Sequence, residues 1–196
     1  MSRTAAITRK TSETDISLTL ALDGTGKAEI ATGIGFFDHM LTAFARHGLF
    51  DLSLTAKGDL HIDSHHTVED TGIVLGQAIR EALDEKRGIT RFGHAIVPMD
   101  EALVEAVIDL SGRGHLSWSA AFESQMLGTM DTQLFQEFFS ALANNALFTL
   151  HVTQKAGHNT HHVAEAAFKS VARALKMAAA IDPRAGEKIP STKGSL

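Results

Sequence analysis

The chain contains no cysteine, which excludes disulfides, a thiolate nucleophile, iron–sulfur clusters and cysteine-ligated zinc. Any metal it holds must sit on His, Asp or Glu. Nowhere does an apolar run approach the ~18 residues needed to cross a bilayer, and the opening stretch MSRTAAITRKTSETD lacks the apolar core of a signal peptide. A cytoplasmic location and no membrane partner are the expectation. Positive charge is also in short supply: 18 Lys and Arg stand against 23 Asp and Glu, for a net charge of −5. Duplex binding rests mostly on neutralising phosphates with Lys and Arg, so a nucleic-acid partner is not expected. What is present in excess is histidine, 11 in 196 residues, gathered mainly into tight groups. With 44% hydrophobic and 21% charged residues, the composition is that of a globular chain with its own core.

The sequence repeats itself. FDHMLTAFARHGLFDL, from Phe37 to Leu52, lies over FQEFFSALANNALFTL, from Phe135 to Leu150, without a gap at an offset of 98. Identities fall at Phe37/Phe135, Ala43/Ala141, Ala45/Ala143, Leu49/Leu147, Phe50/Phe148 and Leu52/Leu150, the pattern of one buried helix face followed by a strand. After a slip of two residues, HHTVE (His65 to Glu69) falls on HHVAE (His161 to Glu165).

Each half reads alike. Alternation in DISLTLAL and EALVEAVIDL predicts half-buried strands. Strands are also expected at 3–9 and 94–98 before them, and near 28–31 and 115–122 after them, with turns at DGTG and SGRG. A helix follows (36–47; 134–145), then a strand (51–57; 149–155) and a second helix (65–85; 161–177). The expected fold is therefore α+β, an internal duplication of a βββαβα unit, with two four-stranded, mostly antiparallel sheets and helices on one face of each. The first repeat is placed at 1–88 and the second at 89–180. A basic Gly/Pro-containing arm, DPRAGEKIPSTKGSL, fills 181–196. The joint EKRGITR is short and unlike a linker, so the halves should form one compact unit.

On a helix, Glu69 shares a face with His65 and His66, and Glu165 with His161 and His162. Adjacent histidines point about 100° apart around the axis, so two clusters can build two metal sites. The repeat adds a further pair, because His39 falls on Glu137. Mixed nitrogen and oxygen donors suit Mn²⁺, Fe²⁺ or Zn²⁺. A single HHxxE is also what an exposed helix start looks like, its Glu favoured by the helix dipole; duplication favours the metal reading. The motif differs from HExxH, in which the intervening Glu serves as base. His61, His151 and His158 are expected beside the site or at strand ends rather than as ligands. His47, His94 and His115 sit singly at element ends. Arg91, Arg113, Lys169, Ser191 and Lys193 stand beside glycine or at element ends, as phosphate-binding groups do. Lys169 is expected on the metal-facing side of its helix, four residues after Glu165. The PSTKG segment would reach the site by folding back or by crossing to a neighbouring subunit.

The strings FFDHML, GDLHIDSHHTVEDTGI, GITRFG, MDEALVEAVIDLSGRG, HNTHHVAEAAFKSVARALK and IPSTKGSL together resemble the imidazoleglycerol-phosphate dehydratase family, over essentially the whole chain and in its monofunctional form. The resemblance implies a duplicated βββαβα fold, a hollow homo-oligomer of 24 subunits, and two Mn²⁺ per subunit in sites between subunits. By position it makes His39, His65, His66, Glu69, His161, His162 and Glu165 metal ligands, and Arg91, Arg113, Lys169, Ser191 and Lys193 phosphate contacts. Glu13 matches a residue near the substrate, and Asp100 and Glu101 match acidic residues at or near the active site. Many members carry a His ligand where this chain has Glu137, which the repeat equivalence with His39 still makes a ligand.

The implied reaction is the dehydration of D-erythro-imidazole glycerol phosphate to imidazole acetol phosphate in histidine biosynthesis. No carbonyl acidifies the proton that must be lost. A ring held as imidazolate by two Mn²⁺ is expected to expel the neighbouring hydroxyl through a diazafulvene-like intermediate once a carboxylate takes the proton. Glu165 or Glu13 is the expected base, with Asp100 or a metal-bound water assisting the hydroxyl. Two other classes fit the same donors: a metal-dependent phosphate-ester hydrolase, and a non-enzymatic assembly in which metals only join subunits.

Overall fold

The computed structural model describes residues 3–196. The first half runs β1 (Thr4–Lys10), β2 (Thr14–Ala21), β3 (Ala28–Ala31), α1 (Gly35–Gly48), β4 (Asp51–Gly58) and α2 (His65–Leu83). The second runs β5 (Phe92–Met99), β6 (Ala102–Asp109), β7 (His115–Ser119), a short hairpin of β8 (Met126–Leu127) and β9 (Met130–Asp131), α3 (Leu134–Ala146), β10 (Thr149–Ala156) and α4 (Thr160–Ala179). The strand orders are β1-β2-β4-β3 and β5-β6-β10-β7. In each sheet the last pair is parallel and the others antiparallel. This is the duplicated α+β plan read from the sequence. One strand is shorter than expected: β7 stops at Ser119, and the chain then spends residues 126–131 on the small hairpin, which has no counterpart in the first half.

Alternation explains the sheets. Ile16, Leu18 and Leu20 point inward from β2 while Asp15, Ser17 and Thr19 point out, and Val104, Ala106 and Ile108 do the same in β6. Burying those inward rows requires helices on that face. All four helices lie between the two sheets, and they pair across the halves: α1 against α4, α2 against α3. Phe37 meets Phe138 edge to face at 5.2 Å, and Phe168 stacks on Phe138 at 5.3 Å, so one core serves both halves.

The helix pairs are packed differently. Along α2, a Cβ added to Gly72 would lie 2.7 Å from the Phe138 carbonyl oxygen, and one on Gly76 2.7 Å from that of Leu142. The α2 and α3 backbones therefore approach as closely as glycine permits. The repeat-equivalent positions of α4 are Phe168 and Ala172.

The helix ends follow the sequence. Both α1 and α3 close on a leucine in the left-handed conformation, Leu49 and Leu147, two of the residues identical between the repeats. The Asn159 side chain caps α4 by accepting from the His161 and His162 backbone N–H groups. The C-terminal arm folds back on its own chain: Gly88 N–H donates to Lys188 O, Asp182 N–H to Gly88 O, and Leu196 lies against Gly112. No helix among the described residues is long and apolar enough to cross a membrane.

Candidate metal centre and active site

The two HHxxE motifs open α2 and α4 at corresponding ends, and each sits beside the first helix of the other half. At the α1–α4 contact, His39 Nε2 and His161 Nε2 each lie 3.1 Å from Glu165 Oε2. Among the described residues, this is the one group of three whose donor atoms come within 4.8 Å of one another. Lys169 Nζ is 2.5 Å from Glu165 Oε1. Burial pushes the Glu165 carboxyl up, but the Lys169 ammonium and the rings of His161 and His39 outweigh it and hold it at about 2. Glu165 is thus a buried carboxylate, ionised at neutral pH and aimed at two imidazoles, a donor set that fits a divalent transition metal.

The matching place in the other half is more open. His65 Nε2 lies 3.7 Å from Glu69, and His65 and Glu137 both line a cleft of about 640 Å³ between α2, α3 and the β8–β9 hairpin. Glu137 stays outside donor distance of the pair. The reason is in the residues: Lys169 is replaced by Ile73 and His39 by Glu137, so Glu69 has neither the ammonium nor the imidazole that Glu165 holds.

The second histidine of each pair has its own carboxylates. His66 Nδ1 lies 2.9 Å from Asp59 Oδ2, with Glu13 3.8 Å from Nε2. His162 Nδ1 lies 2.7 Å from Glu101 Oε2, with Asp100 3.8 Å from Nε2. Hydrogen bonds from the His162 ring, then from the Asn159 backbone, hold the Glu101 carboxyl at about 2. The hydrogen bond that its ring N–H donates to Asp59 raises His66 above the ordinary histidine value. Sequence reading missed Asp59 altogether. Its only signal is position, at the end of β4 and seven residues before His66, and nothing local says that the loop turns it back onto the ring.

The basic residues divide. Lys169 joins the His39 cluster but is occupied by Glu165. Arg91 lies at the opposite end of α4: its backbone N–H donates to Ala178 O at 2.8 Å, its guanidinium forks onto Asp109 at 2.8 and 3.2 Å, and Nη1 donates to Pro190 O at 2.8 Å. Ser191 follows Pro190, and Leu196 reaches the turn that carries the exposed Arg113. Lys193 is exposed on the same arm. From His162 to Ala178 the helix rises roughly 24 Å, so within one chain Arg91 and its neighbours stand far from the histidines.

The sequence matches the imidazoleglycerol-phosphate dehydratase family over residues 32–175. The chain belongs to the imidazoleglycerol-phosphate dehydratase family. It is 68% identical to the imidazoleglycerol-phosphate dehydratase of Granulibacter bethesdensis and 71% identical to that of Acidiphilium cryptum, each over 100% of both chains. Among solved structures it resembles imidazoleglycerol-phosphate dehydratase from Staphylococcus aureus at 38% identity, with a TM-score of 0.83 over 91% of this chain and 99% of that one. It also resembles the Pyrococcus furiosus enzyme at 40% identity, with a TM-score of 0.84 over 97% and 100%. As a member of the imidazoleglycerol-phosphate dehydratase family, the chain is a lyase of histidine biosynthesis acting on a small molecule.

Proposed function

We propose that the chain removes water from D-erythro-imidazole glycerol phosphate to give imidazole acetol phosphate at two Mn²⁺ sites completed between subunits. The observation that carries this reading is the separation inside one chain. The nitrogen and oxygen donors stand at the start of α4 and the phosphate-type residues other than Lys169 at its end, roughly 24 Å apart along the helix, whereas only three carbons join ring and phosphate in the substrate. A single copy holds the parts of a site, and two copies must supply the whole. The outer face of the second sheet supports association, since Phe92, Ile96 and Val107 are exposed there, where the first sheet presents Ser17, Thr19 and Thr55. A hollow assembly of 24 copies is the form the family resemblance implies.

His39, His161 and Glu165 would hold one metal. His65, Glu69 and Glu137 would hold the other, with His66 and His162 offering further ring nitrogens. Bound Mn²⁺ would keep the substrate's imidazole deprotonated and oriented. The hydroxyl leaves from the carbon attached to the ring and the proton from the next carbon, giving an enol that becomes the ketone.

Two carboxylates are candidates for taking that proton. Glu165 is pinned at about 2 by its partners, which makes it a poor base and a good ligand. Glu13 is exposed on the β1–β2 turn, 3.8 Å from His66, with a free oxygen to accept; it is the base in this reading. Asp100, 80% exposed and 3.8 Å from His162 Nε2, is placed to assist the hydroxyl. Arg91, Arg113, Ser191, Lys193 and Lys169 would bind the phosphate.

Incubating the Mn²⁺-loaded protein with imidazole glycerol phosphate tests this. Formation of an enolisable ketone with phosphate retained is expected. Release of inorganic phosphate would instead make it a hydrolase, and no turnover would leave the assembly role.

A further inference from the structure

The second histidine of each motif is held in a way the first is not. Asp59 reaches His66 Nδ1 at 2.9 Å and Glu101 reaches His162 Nδ1 at 2.7 Å, whereas His65 and His161 meet only the glutamate four residues on, through Nε2.

The repeat shows that the two grips are not one inherited contact. Leu18 pairs with Leu54 in the first sheet and Ala106 with Val152 in the second. That register carries Glu13 onto Glu101, both 5 residues before the paired position. Glu101 grips Nδ1, yet Glu13 stands 3.8 Å from Nε2. In the first half the grip comes instead from Asp59, whose counterparts at either repeat offset are Lys155 and Gly157. The same bond to the same atom is thus made from non-equivalent places. Asp59 is also a costly residue to keep there: its second oxygen, Oδ1, is buried with no partner, and an unsatisfied buried oxygen destabilises the fold.

The chemistry of imidazole says what the grip does. A carboxylate accepts only from an N–H, so a neutral ring gripped at Nδ1 keeps its proton there and turns the Nε2 lone pair outward. At 3.8 Å from that lone pair stands a second carboxylate, Glu13 in one half and Asp100 in the other. Lone pair and carboxylate facing each other repel until a cation lies between them. Resting on the metal reading above, we propose that Asp59 and Glu101 are positioning residues, which fix His66 and His162 as Nδ1–H tautomers and present Nε2 alone to a divalent metal.

Nitrogen-15 spectra of the full-length, chelator-treated protein at about pH 8.5, two units above the ordinary histidine value, report the tautomer directly, with His66→Gln and His162→Gln assigning the two rings. Both are expected as Nδ1–H, and an Nε2–H form at either ring overturns the proposal. In the full-length protein, Asp59→Asn and Glu101→Gln are expected to weaken Mn²⁺ binding by about 10–100-fold, followed as free Mn²⁺ by electron paramagnetic resonance, with Asp59→Glu recovering part of the loss. Unchanged affinity in both variants also overturns it. If the wild type takes up no Mn²⁺, the metal reading itself fails, and the tautomer spectrum still decides the state of the rings.

Discussion

The two halves of the molecule hold the same motif in different states. At the α1–α4 contact, His39, His161 and Glu165 are already drawn together, and Lys169 neutralises the buried carboxylate. At the α2–α3 contact, His65 and Glu69 stand 3.7 Å apart, and Glu137 lines an open cleft with His65. A duplicated sequence thus yields one assembled site and one open one. The lesson is electrostatic: Lys169 against Ile73 and His39 against Glu137 decide which half is pre-formed, although the backbone topology is shared.

The largest effect is expected at the assembled site. Glu165→Gln should lower turnover by at least about 10²-fold and reduce Mn²⁺ uptake, whereas Glu69→Gln should do less. The same variant tests the charge argument without substrate. Because the Glu165 carboxyl is depressed to about 2 from 4.5, its contribution to stability is full above 4.5 and is lost as pH falls through 2. Thermal unfolding of the metal-free protein should therefore weaken across that window, and Glu165→Gln should flatten the slope. Equal slopes would mean that the Lys169 contact carries no weight.

Next in size is Glu137→Ala, which should weaken one Mn²⁺ by about 10–100-fold and leave the site at His39 unchanged, read by titration of bound metal per chain. Equal weakening of both metals would show that the halves do not act separately. The smallest effect concerns packing rather than charge. Gly76→Ala places a methyl 2.7 Å from the Leu142 carbonyl, so a loss of about 1–3 kcal/mol is expected in denaturant unfolding. At the equivalent Ala172 of α4, Ala172→Gly should cost only about 1 kcal/mol. Equal costs would contradict the closer approach of α2 to α3.

Several features were legible because they are local and repeated. Alternation gave β2 and β6 within a residue or two, and the matched Leu49–Phe50 and Leu147–Phe148 pairs mark two identical helix ends. Spacing alone put Glu165 on a face with His161. The hairpin at 126–131 was invisible, since two-residue strands carry no period. Asp59 was invisible too, because an aspartate in a loop reads as a solvated turn residue until the loop is seen to fold back onto His66. The arm from 181 was legible as an arm but not in its course, which depends on Gly88, Arg91 and Gly112 receiving it.

By itself the sequence determined the duplicated α+β plan, the all-His/carboxylate donor set and the family, since periodicity, absence of cysteine and motif strings are properties of the chain read in order. Only the tertiary structure decided which donors meet. It paired helices across the halves, so His39 joins the second motif while Glu137 shares only a cleft with His65, and it put Arg91 at the far end of α4 from the histidines. Those outcomes follow from burying the inward rows of both sheets against one shared helical core, a constraint that acts between distant residues and leaves no mark on any single stretch.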